Sequence, residues 1–221
     1  MSIKKNLQDI KNTLNDSVIL VAVSKTKPIA YLQEAYDAGQ RIFGENKVQE
    51  MTQKWGEMPK DIQWHMIGHL QTNKVKYMAP YVSLVHSVDS FKLLKEINKQ
   101  ALKNNRTIDC LLQIHIAEED TKFGLNESEL IEMVNSSDFQ KLKNINVCGL
   151  MGMATFTDNL EQLKREFSSL KQLFDTFKNK YNSETIKAEI LSMGMSGDYQ
   201  LAISQGSNMV RVGSSIFGTR N

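Results

Sequence analysis

The chain has 221 residues, of which 41% are hydrophobic and 24% charged, a composition typical of a globular protein with one sizeable core. Its formal net charge of +2 comes from 27 basic and 25 acidic residues interspersed along the chain, so neither a nucleic acid nor a membrane surface is expected as a partner. No stretch reaches the roughly 18 apolar residues of a transmembrane helix, and the N-terminus lacks the apolar region of a secretory signal. We therefore expect a cytoplasmic protein that forms one domain over residues 1–221.

The predicted elements alternate along the whole chain between short apolar runs and longer amphipathic stretches. A leading helix is predicted within residues 1–14, and further helices are predicted over 28–39, 89–105 and 158–181 from their apolar periodicity and capping residues. Eight near-continuous apolar runs have the length and pattern of strands in a parallel sheet buried on both faces. These runs are 17–24, 41–46, 63–69, 84–89, 109–116, 146–153, 187–196 and 209–218.

The helical stretches also predict which side chains are buried and which are solvated. The KVQE stretch at 47–50 is expected to supply only a polar helix start and a solvated face. In the helix predicted over 89–105, spacing along the helix places a set of apolar side chains on one buried face. This set is Phe91, Leu93, Leu94, Ile97 and Leu102.

Eight strands that alternate with helices predict an α/β fold, a single (β/α)8 TIM barrel with an extra N-terminal helix. The competing architecture is an open doubly wound sheet. That sheet is disfavoured because no GxGxxG follows the first strand and no P-loop occurs in the chain.

The two cysteines, Cys110 and Cys148, lie within apolar runs that are predicted to be strands. Cytoplasmic conditions keep thiols reduced. We therefore expect two buried free thiols rather than a disulfide.

Lys25 closes the first strand-like run and is a candidate functional residue. Side chains alternate along a strand, so Ile19, Val21, Val23 and Lys25 share one face if the strand stays regular. In a (β/α)8 barrel the site lies at the C-terminal ends of the strands. If that face lines the barrel, the Lys25 amine points into the mouth, where a partly desolvated lysine is a candidate Schiff-base former. The alternative is that Lys25 and Lys27 are solvated loop residues.

Small residues follow the seventh and eighth predicted strands. Gly194, Ser196 and Gly197 lie in LSMGMSGD, ahead of a helical segment predicted to begin near Asp198, and residues 213–215 form the Gly-Ser-Ser of VRVGSSIFG. Such turns let the backbone approach an anion, and the loops after strands seven and eight often bind phosphate in these barrels. A lysine amine opposite a phosphate cradle suits an aldehyde that carries a phosphate, and pyridoxal 5′-phosphate (PLP) is the common one.

Arg211 lies in the middle of the last predicted strand, where an unpaired charge would be costly, so it requires a partner. If the partner is the pyridine nitrogen of PLP, a permanently protonated guanidinium keeps that nitrogen unprotonated and weakens the ring as an electron sink. The alternative is a carboxylate inside or under the barrel. The sequence leaves both partners open.

The histidines are expected to be structural. His65 and His69 have the HxxxH spacing, which brings two imidazoles to one face only on a helix, whereas 63–69 is predicted to be a strand. We therefore expect no metal site there. His86 and His115 lie in separate predicted strands and are interpreted as core or rim histidines.

Motifs along nearly the whole chain resemble those of the YggS/PROSC family of pyridoxal phosphate homeostasis proteins. They are AVSKTKP, FGENKVQE, WHMIGHLQTNK, SVDS, the Phe-Gly of DTKFG, GLMGM, LSMGMSGD and MVRVGSSIFG, in family order and at family spacing. The resemblance implies a fold like the N-terminal domain of alanine racemases, the fold-type III class of PLP proteins.

The resemblance also implies a set of residues around PLP. Lys25 would hold the cofactor as a Schiff base, and Arg211 would face the pyridine ring. Ser196 with Gly213, Ser214 and Ser215 would hold the phosphate. Asn46 would lie close to the cofactor, and Ile67, His69 and Met193 would line the pocket.

The function that follows is a binding protein rather than a catalyst. Racemisation requires a base on each face of the substrate carbanion. In the racemases that this chain resembles, one base is a tyrosine brought by a second domain of the partner subunit. Here the sequence ends at Asn221, just after the eighth strand, so no second domain is expected.

We therefore predict a monomeric protein that holds PLP on Lys25 and takes part in intracellular PLP homeostasis and delivery, without robust catalysis of its own. PLP-dependent apo-enzymes are the expected recipients. One alternative is a small fold-type III racemase or decarboxylase that uses Lys25 as a base. Another is a regulatory binding module whose partner binds according to whether the cofactor is present.

Overall fold

Eight parallel strands close into a barrel in the computed structural model, which describes residues 2–118 and 123–219. Each strand pairs with the next along the chain, and the last pairs with the first at Ile19↔Met209 and Val21↔Arg211. The strands are β1 (Ile19–Val23), β2 (Ile42–Glu45), β3 (Gln63–Met66), β4 (Leu84–Val88), β5 (Ile108–Ile114), β6 (Ile145–Gly152), β7 (Ile186–Met195) and β8 (Met209–Val212).

Helices follow the strands and surround the barrel. Those of the described residues are α1 (Ile3–Asn12), α2 (Ile29–Asp37), α3 (Val48–Glu57), α4 (Val75–Met78), α5 (Phe91–Lys103), α6 (Glu127–Asn135), α7 (Leu160–Lys180), α8 (Tyr199–Ser204) and α9 (Ser214–Phe217). Short 3-10 turns occur at Thr72–Lys74 and Phe139–Lys141. No helix in the ranges 2–118 and 123–219 is both long and apolar enough to cross a membrane.

The predicted (β/α)8 barrel with a leading helix is confirmed, and each predicted strand is present within a few residues of its expected bounds. The largest difference is in the last run, predicted over 209–218. There β8 ends at Val212, because the N–H groups of Ile216 and Phe217 both bond to the Gly213 carbonyl and start α9. Met1, Glu119, Asp120–Lys122 of the DTKFG motif, Arg220 and Asn221 lie outside the described residues.

The buried face of α5 differs from the prediction at one position. Leu93, Leu94 and Ile97 are buried as expected, but Leu102 is 59% exposed. Ala101, the preceding residue, is the one that turns toward the core in this last helical turn.

The two cysteines are free thiols, as predicted. Cys110 is buried in the core, whereas Cys148 is only half-buried, contrary to expectation. Burial raises the pKa of the Cys148 thiol to about 12, so the reactive thiolate is scarce at neutral pH.

Hydrophobic side chains fill the part of the barrel near the N-terminal ends of the strands. Alternation along the strands divides the apolar residues into an inner cluster and a larger layer beneath the helices. The inner cluster is Val21, Leu84, Leu111, Met151 and Met209. Above this packed part, the barrel interior opens into a cavity at the C-terminal ends of the strands.

Gly149 is required where β6 meets β7. The pairing of these strands shifts register between Val147 and Gly149, and Gly149 has a φ of +152°. A Cβ atom on Gly149 would lie 1.8 Å from the carbonyl oxygen of Ile190.

We expect Gly149→Ala to lower the free energy of unfolding by about 3 kcal/mol, because both the backbone conformation and the packing oppose a side chain. Urea denaturation measures the change. Gly56→Ala is the matched control, since nothing lies within 4 Å of a Cβ at that helical position. Equal stabilities for the two variants would contradict the prediction.

Candidate functional site

A cavity of about 650 Å³ opens at the C-terminal ends of the strands. Its size is in the range usual for sites that bind small molecules. The structure brings most of the predicted site residues together around it. Those that line the cavity are Lys25, Asn46, Ile67, Ser196, Arg211, Gly213 and Ser214.

Lys25 reaches the cavity by the expected strand alternation. Ile19 and Val21 belong to the inner barrel cluster, and Val23 and Lys25 line the cavity above them. The prediction that these four side chains share one face is confirmed. Lys25 is half-buried, so its amine lies at the boundary between the barrel interior and solvent.

Met193 lies outside the cavity, contrary to the prediction. Its side chain is fully buried in the core beneath the helices, and Met195 lines the cavity instead. The reason is a bulge in β7: Ser192 pairs with Met209 but Met195 pairs with Arg211, so β7 has one residue more than β8 between these pairs.

His69 and Ser215 also lie outside the cavity lining. His69 is on the rim, where its Nδ1 is 3.0 Å from Asp89 Oδ2 and its ring stacks on Phe123 at 4.3 Å between centroids. Ser215 is exposed in α9. These two residues contribute to the surroundings of the cavity rather than to its wall.

The small-residue turns after β7 and β8 are joined to each other. The Ser196 Oγ accepts a hydrogen bond of 3.0 Å from the Gly213 N–H. A Cβ on Gly213 would lie 3.1 Å from Val23, so a larger residue would crowd β1 at this point. The two predicted anion-binding loops therefore form one surface next to the strand that carries Lys25.

Asp198 brings a carboxyl group to the same surface. It precedes α8, accepts a hydrogen bond from the Met195 N–H and lines the cavity. Burial raises the pKa of Asp198, whereas that hydrogen bond and the charge of Arg211 lower it. The carboxyl group closes the β7 turn that bears Ser196.

Arg211 is buried inside the barrel and bonded to neutral oxygens. Its NH1 group donates to the Ser192 carbonyl at 3.0 Å and to the Ser192 Oγ at 2.6 Å, and its NH2 group donates to the Gly152 carbonyl at 3.0 Å. Burial lowers the pKa of Arg211 to about 10, and Asp198 opposes this shift through its charge. The guanidinium therefore remains protonated at neutral pH.

Two buried histidines extend this hydrogen-bonded group across the barrel. The His86 Nδ1 is 3.2 Å from Ser192 Oγ, and the His86 Nε2 is 3.0 Å from the His65 Nδ1. Burial lowers the pKa of His65 to about 3 and that of His86 well below its ordinary value. Both imidazoles are therefore neutral at pH 7.

The direction of these hydrogen bonds follows from Arg211. Because Ser192 Oγ accepts from the guanidinium, its only proton can be donated to the His86 Nδ1. A neutral His86 then carries its proton on Nε2 and donates it to the His65 Nδ1. Each hydrogen bond in this series, from Arg211 through Ser192 and His86 to His65, is therefore donated in the direction away from the charge of Arg211.

The sequence reasoning interpreted His86 as a core or rim histidine, and the structure buries it in the core, but that reasoning missed the contact with His65. A signal was present, since each histidine lies near the middle of one of two consecutive predicted strands. His115, also interpreted as a core or rim histidine, is half-buried after β5. His65 lies in β3 and His69 beyond its end, so the HxxxH pair does not share a helix.

The closed barrel, the strand-end lysine and the paired small-residue turns define a (β/α)8 protein of the alanine racemase type. Residues 1–221 match the family described as alanine racemase, N-terminal domain. An alanine racemase of Clostridium difficile superposes with a TM-score of 0.79 at 16% identity, over 99% of this chain and 60% of that one, a likeness of fold alone.

More specific relatives share the full length of the barrel. A pyridoxal phosphate homeostasis protein of Aquifex aeolicus is 39% identical over 202 residues, which are 91% of this chain and 86% of the relative. PipY of Synechococcus elongatus, solved with PLP bound, is 32% identical and covers 98% of this chain and 100% of its own, with a TM-score of 0.88. The chain belongs to the family of pyridoxal phosphate homeostasis proteins.

The buried imidazoles predict a pH-dependent stability. His65 has a folded pKa below its unfolded value of about 6.5, so the unfolded state binds the extra proton and stability falls as the pH drops from about 6.5 toward about 3.

We expect His65→Asn, which keeps an amide in place of Nδ1, to remove the part of this dependence that comes from His65. Between pH 7 and pH 5 the wild type should lose about 2 kcal/mol more than the variant, measured by urea denaturation at both pH values. Parallel losses in the two proteins would show that His65 is not held neutral in the folded state.

Proposed function

We propose that the protein binds PLP as a Schiff base on Lys25 and takes part in intracellular PLP homeostasis and delivery, without robust catalytic activity of its own. The proposal rests on one observation: Lys25 lines the same cavity as the two joined turns at Ser196 and Gly213. The names of the relatives and the PLP found in PipY support it.

The residues present fit a phosphorylated aldehyde. Lys25 supplies an amine, and Ser196 with residues 214–215 supplies hydroxyl and backbone N–H donors for a phosphate, while the Gly213 N–H joins the two turns. Gly213 lets this turn pack against β1, since a Cβ there would crowd Val23. Arg211 supplies a fixed positive charge for the ring.

The remaining predicted residues would act around this centre. Asn46 and Ile67 would contact the ligand from the wall of the cavity. His69 would contribute from the rim, and Met193 would support β7 from beneath the helices rather than from the pocket.

PLP supplies an aldehyde and, when its ring nitrogen is protonated, an electron sink. The Lys25 amine condenses with the aldehyde, a C=N bond forms and one water leaves, and hydrolysis reverses the process. Arg211 stays protonated at neutral pH. A guanidinium facing the ring would keep the ring nitrogen unprotonated, which suits reversible holding better than carbanion chemistry.

The lining of the cavity favours a carrier over a racemase. Within the described ranges of the chain, no tyrosine lines the cavity. The Asp198 carboxyl is bonded to the Met195 N–H, and the Lys27 amine donates to the Thr219 carbonyl at 3.0 Å. Each of these candidate second bases has a structural contact to give up before it could exchange a proton with a substrate.

We further propose a cytoplasmic monomer, folded as one domain over residues 1–221, that delivers PLP to apo-enzymes. The half-buried position of Lys25 supports delivery, because the linkage remains within reach of water and of a recipient at the mouth of the cavity.

We expect the purified protein, after addition of PLP, to show a visible absorption band. Borohydride reduction should then attach the cofactor covalently to Lys25. Lys25→Ala should abolish both the band and the labelled peptide, because Lys25 shares the cavity with the turns at Ser196 and Gly213, whereas the Lys27 amine donates to the Thr219 carbonyl. Absorption spectra and peptide mapping by mass spectrometry provide the measurement. Lys27→Ala is the matched control, since it removes the other lysine that lines the cavity. A band that persists in Lys25→Ala would refute the assignment.

We also expect exchange of the α-proton of alanine into deuterated solvent to stay at the rate given by free PLP. Nuclear magnetic resonance of alanine incubated with the loaded protein measures the exchange. Saturable exchange that is lost in Lys25→Ala would instead establish the racemase alternative.

A further inference from the structure

The loop that carries Lys25 is held on both sides of the lysine. Ser24 and Thr26 each make polar contacts with side chains of α3 or β2, whereas Lys25 turns into the cavity. Thr26 has a φ of +64°, in the left-handed region. A β-branched residue rarely adopts this conformation, so something must hold Thr26 there.

The Lys27 N–H closes this turn by donating to the Ser24 carbonyl at 3.0 Å, and Glu50 in α3 supplies the side-chain contact. Its Oε1 accepts a hydrogen bond of 2.6 Å from the backbone N–H of Thr26. The same oxygen accepts from the Lys54 Nζ at 2.7 Å, one helical turn later. The KVQE stretch therefore does more than supply a polar helix start.

Lys54 connects Glu50 to the other side of the loop. Its buried ammonium donates to the Ser24 carbonyl and to the Glu45 Oε1, both at 2.8 Å, and to Glu50. These three bonds use all three donors of the ammonium. Ser24 is fixed a second time, because its Oγ donates to the Glu45 Oε1 at 2.6 Å.

We propose that Glu50 is a positioning residue for Lys25: strand alternation turns Lys25 toward the cavity, and Glu50 keeps it there by holding the backbone of the next residue, Thr26, in the left-handed conformation. The inference rests on the proposed function, because positioning matters if Lys25 is the reacting amine. Lys54 holds Glu50 in place and ties the loop to β2.

Removing the carboxylate leaves the Thr26 N–H without this partner and the left-handed conformation without this support. Thr26 then relaxes toward its ordinary conformations, and Lys25, the preceding residue, changes direction with it. A glycine at position 26 adopts positive φ without steric cost. Thr26→Gly should therefore restore the direction of Lys25 even when Glu50 is absent.

The test compares wild type, Glu50→Ala, Thr26→Gly and the double variant. The rate of PLP attachment, followed by stopped-flow absorbance, should fall about tenfold in Glu50→Ala, the size expected for a lost conformational support. Thr26→Gly alone should stay within about twofold of wild type, and the double variant should recover to within about threefold. Glu57→Ala, the same substitution near the end of α3, is the control and should match wild type.

A second readout does not use PLP. The rate of reductive methylation of Lys25 by formaldehyde and cyanoborohydride, measured by mass spectrometry, reports the reactivity of the amine. Hydrogen exchange at the Thr26 amide reports the backbone contact. We expect Glu50→Ala to change both, and Thr26→Gly to restore the methylation rate in the double variant.

The outcomes distinguish failure of the proposed PLP-binding function from failure of the positioning role of Glu50. If wild type binds no PLP while methylation still depends on Glu50 with rescue by glycine, the proposed function fails and the positioning role stands. Equal attachment and methylation rates in wild type and Glu50→Ala would overturn the positioning role. Slower rates without rescue at position 26 would also overturn it, because Glu50 would then act through overall stability.

Discussion

The buried guanidinium of Arg211 determines how the upper half of the barrel is built. A charge inside a protein must be surrounded by hydrogen-bond acceptors, and here the carbonyls of Ser192 and Gly152 and the Ser192 hydroxyl provide them. The hydroxyl can accept from Arg211 because its own proton has an acceptor in the neutral His86. The interior therefore has an apolar lower part, a polar layer at Arg211 and a cavity above it.

A second polar group supports the cavity from outside the barrel. Strand alternation sends Lys25 and Asn46 inward, toward the cavity, and their neighbours Ser24 and Glu45 outward, toward α3. The outward pair meets the buried Lys54 ammonium. Burial raises the pKa of Glu45, and Lys54 lowers it, so the two buried groups stabilise each other's charge. The wall that bears Lys25 is thus fixed on both of its faces.

Much of this arrangement follows from the two-residue alternation of side chains along each strand and from the order of the strands in the sequence. The rest depends on how the strands pair. The inward direction of Lys25 follows from counting by two along a regular strand, and the two small-residue turns follow from their positions after the last strands. The family resemblance places Met193 in the pocket, but the bulge before Met195 adds a residue that no spacing reveals, and Met193 lies in the core instead. The contacts of His65 with His86, and of Glu50 with Thr26, join residues 21 and 24 positions apart and depend on the register of the closed barrel.

The two supports have opposite effects on chemistry in the proposed function. The contacts of α3 with the Lys25 loop favour formation of the covalent link, because the amine is already directed into the cavity before a ligand arrives. Arg211 opposes the next step, loss of a proton from a bound amino acid. A protonated guanidinium facing the ring would keep the ring nitrogen unprotonated, and the ring would then lack the positive charge that stabilises a carbanion. A site that forms its linkage readily and proceeds no further releases the aldehyde unchanged when water or a recipient amine attacks. In the proposed function, such a balance suits a carrier.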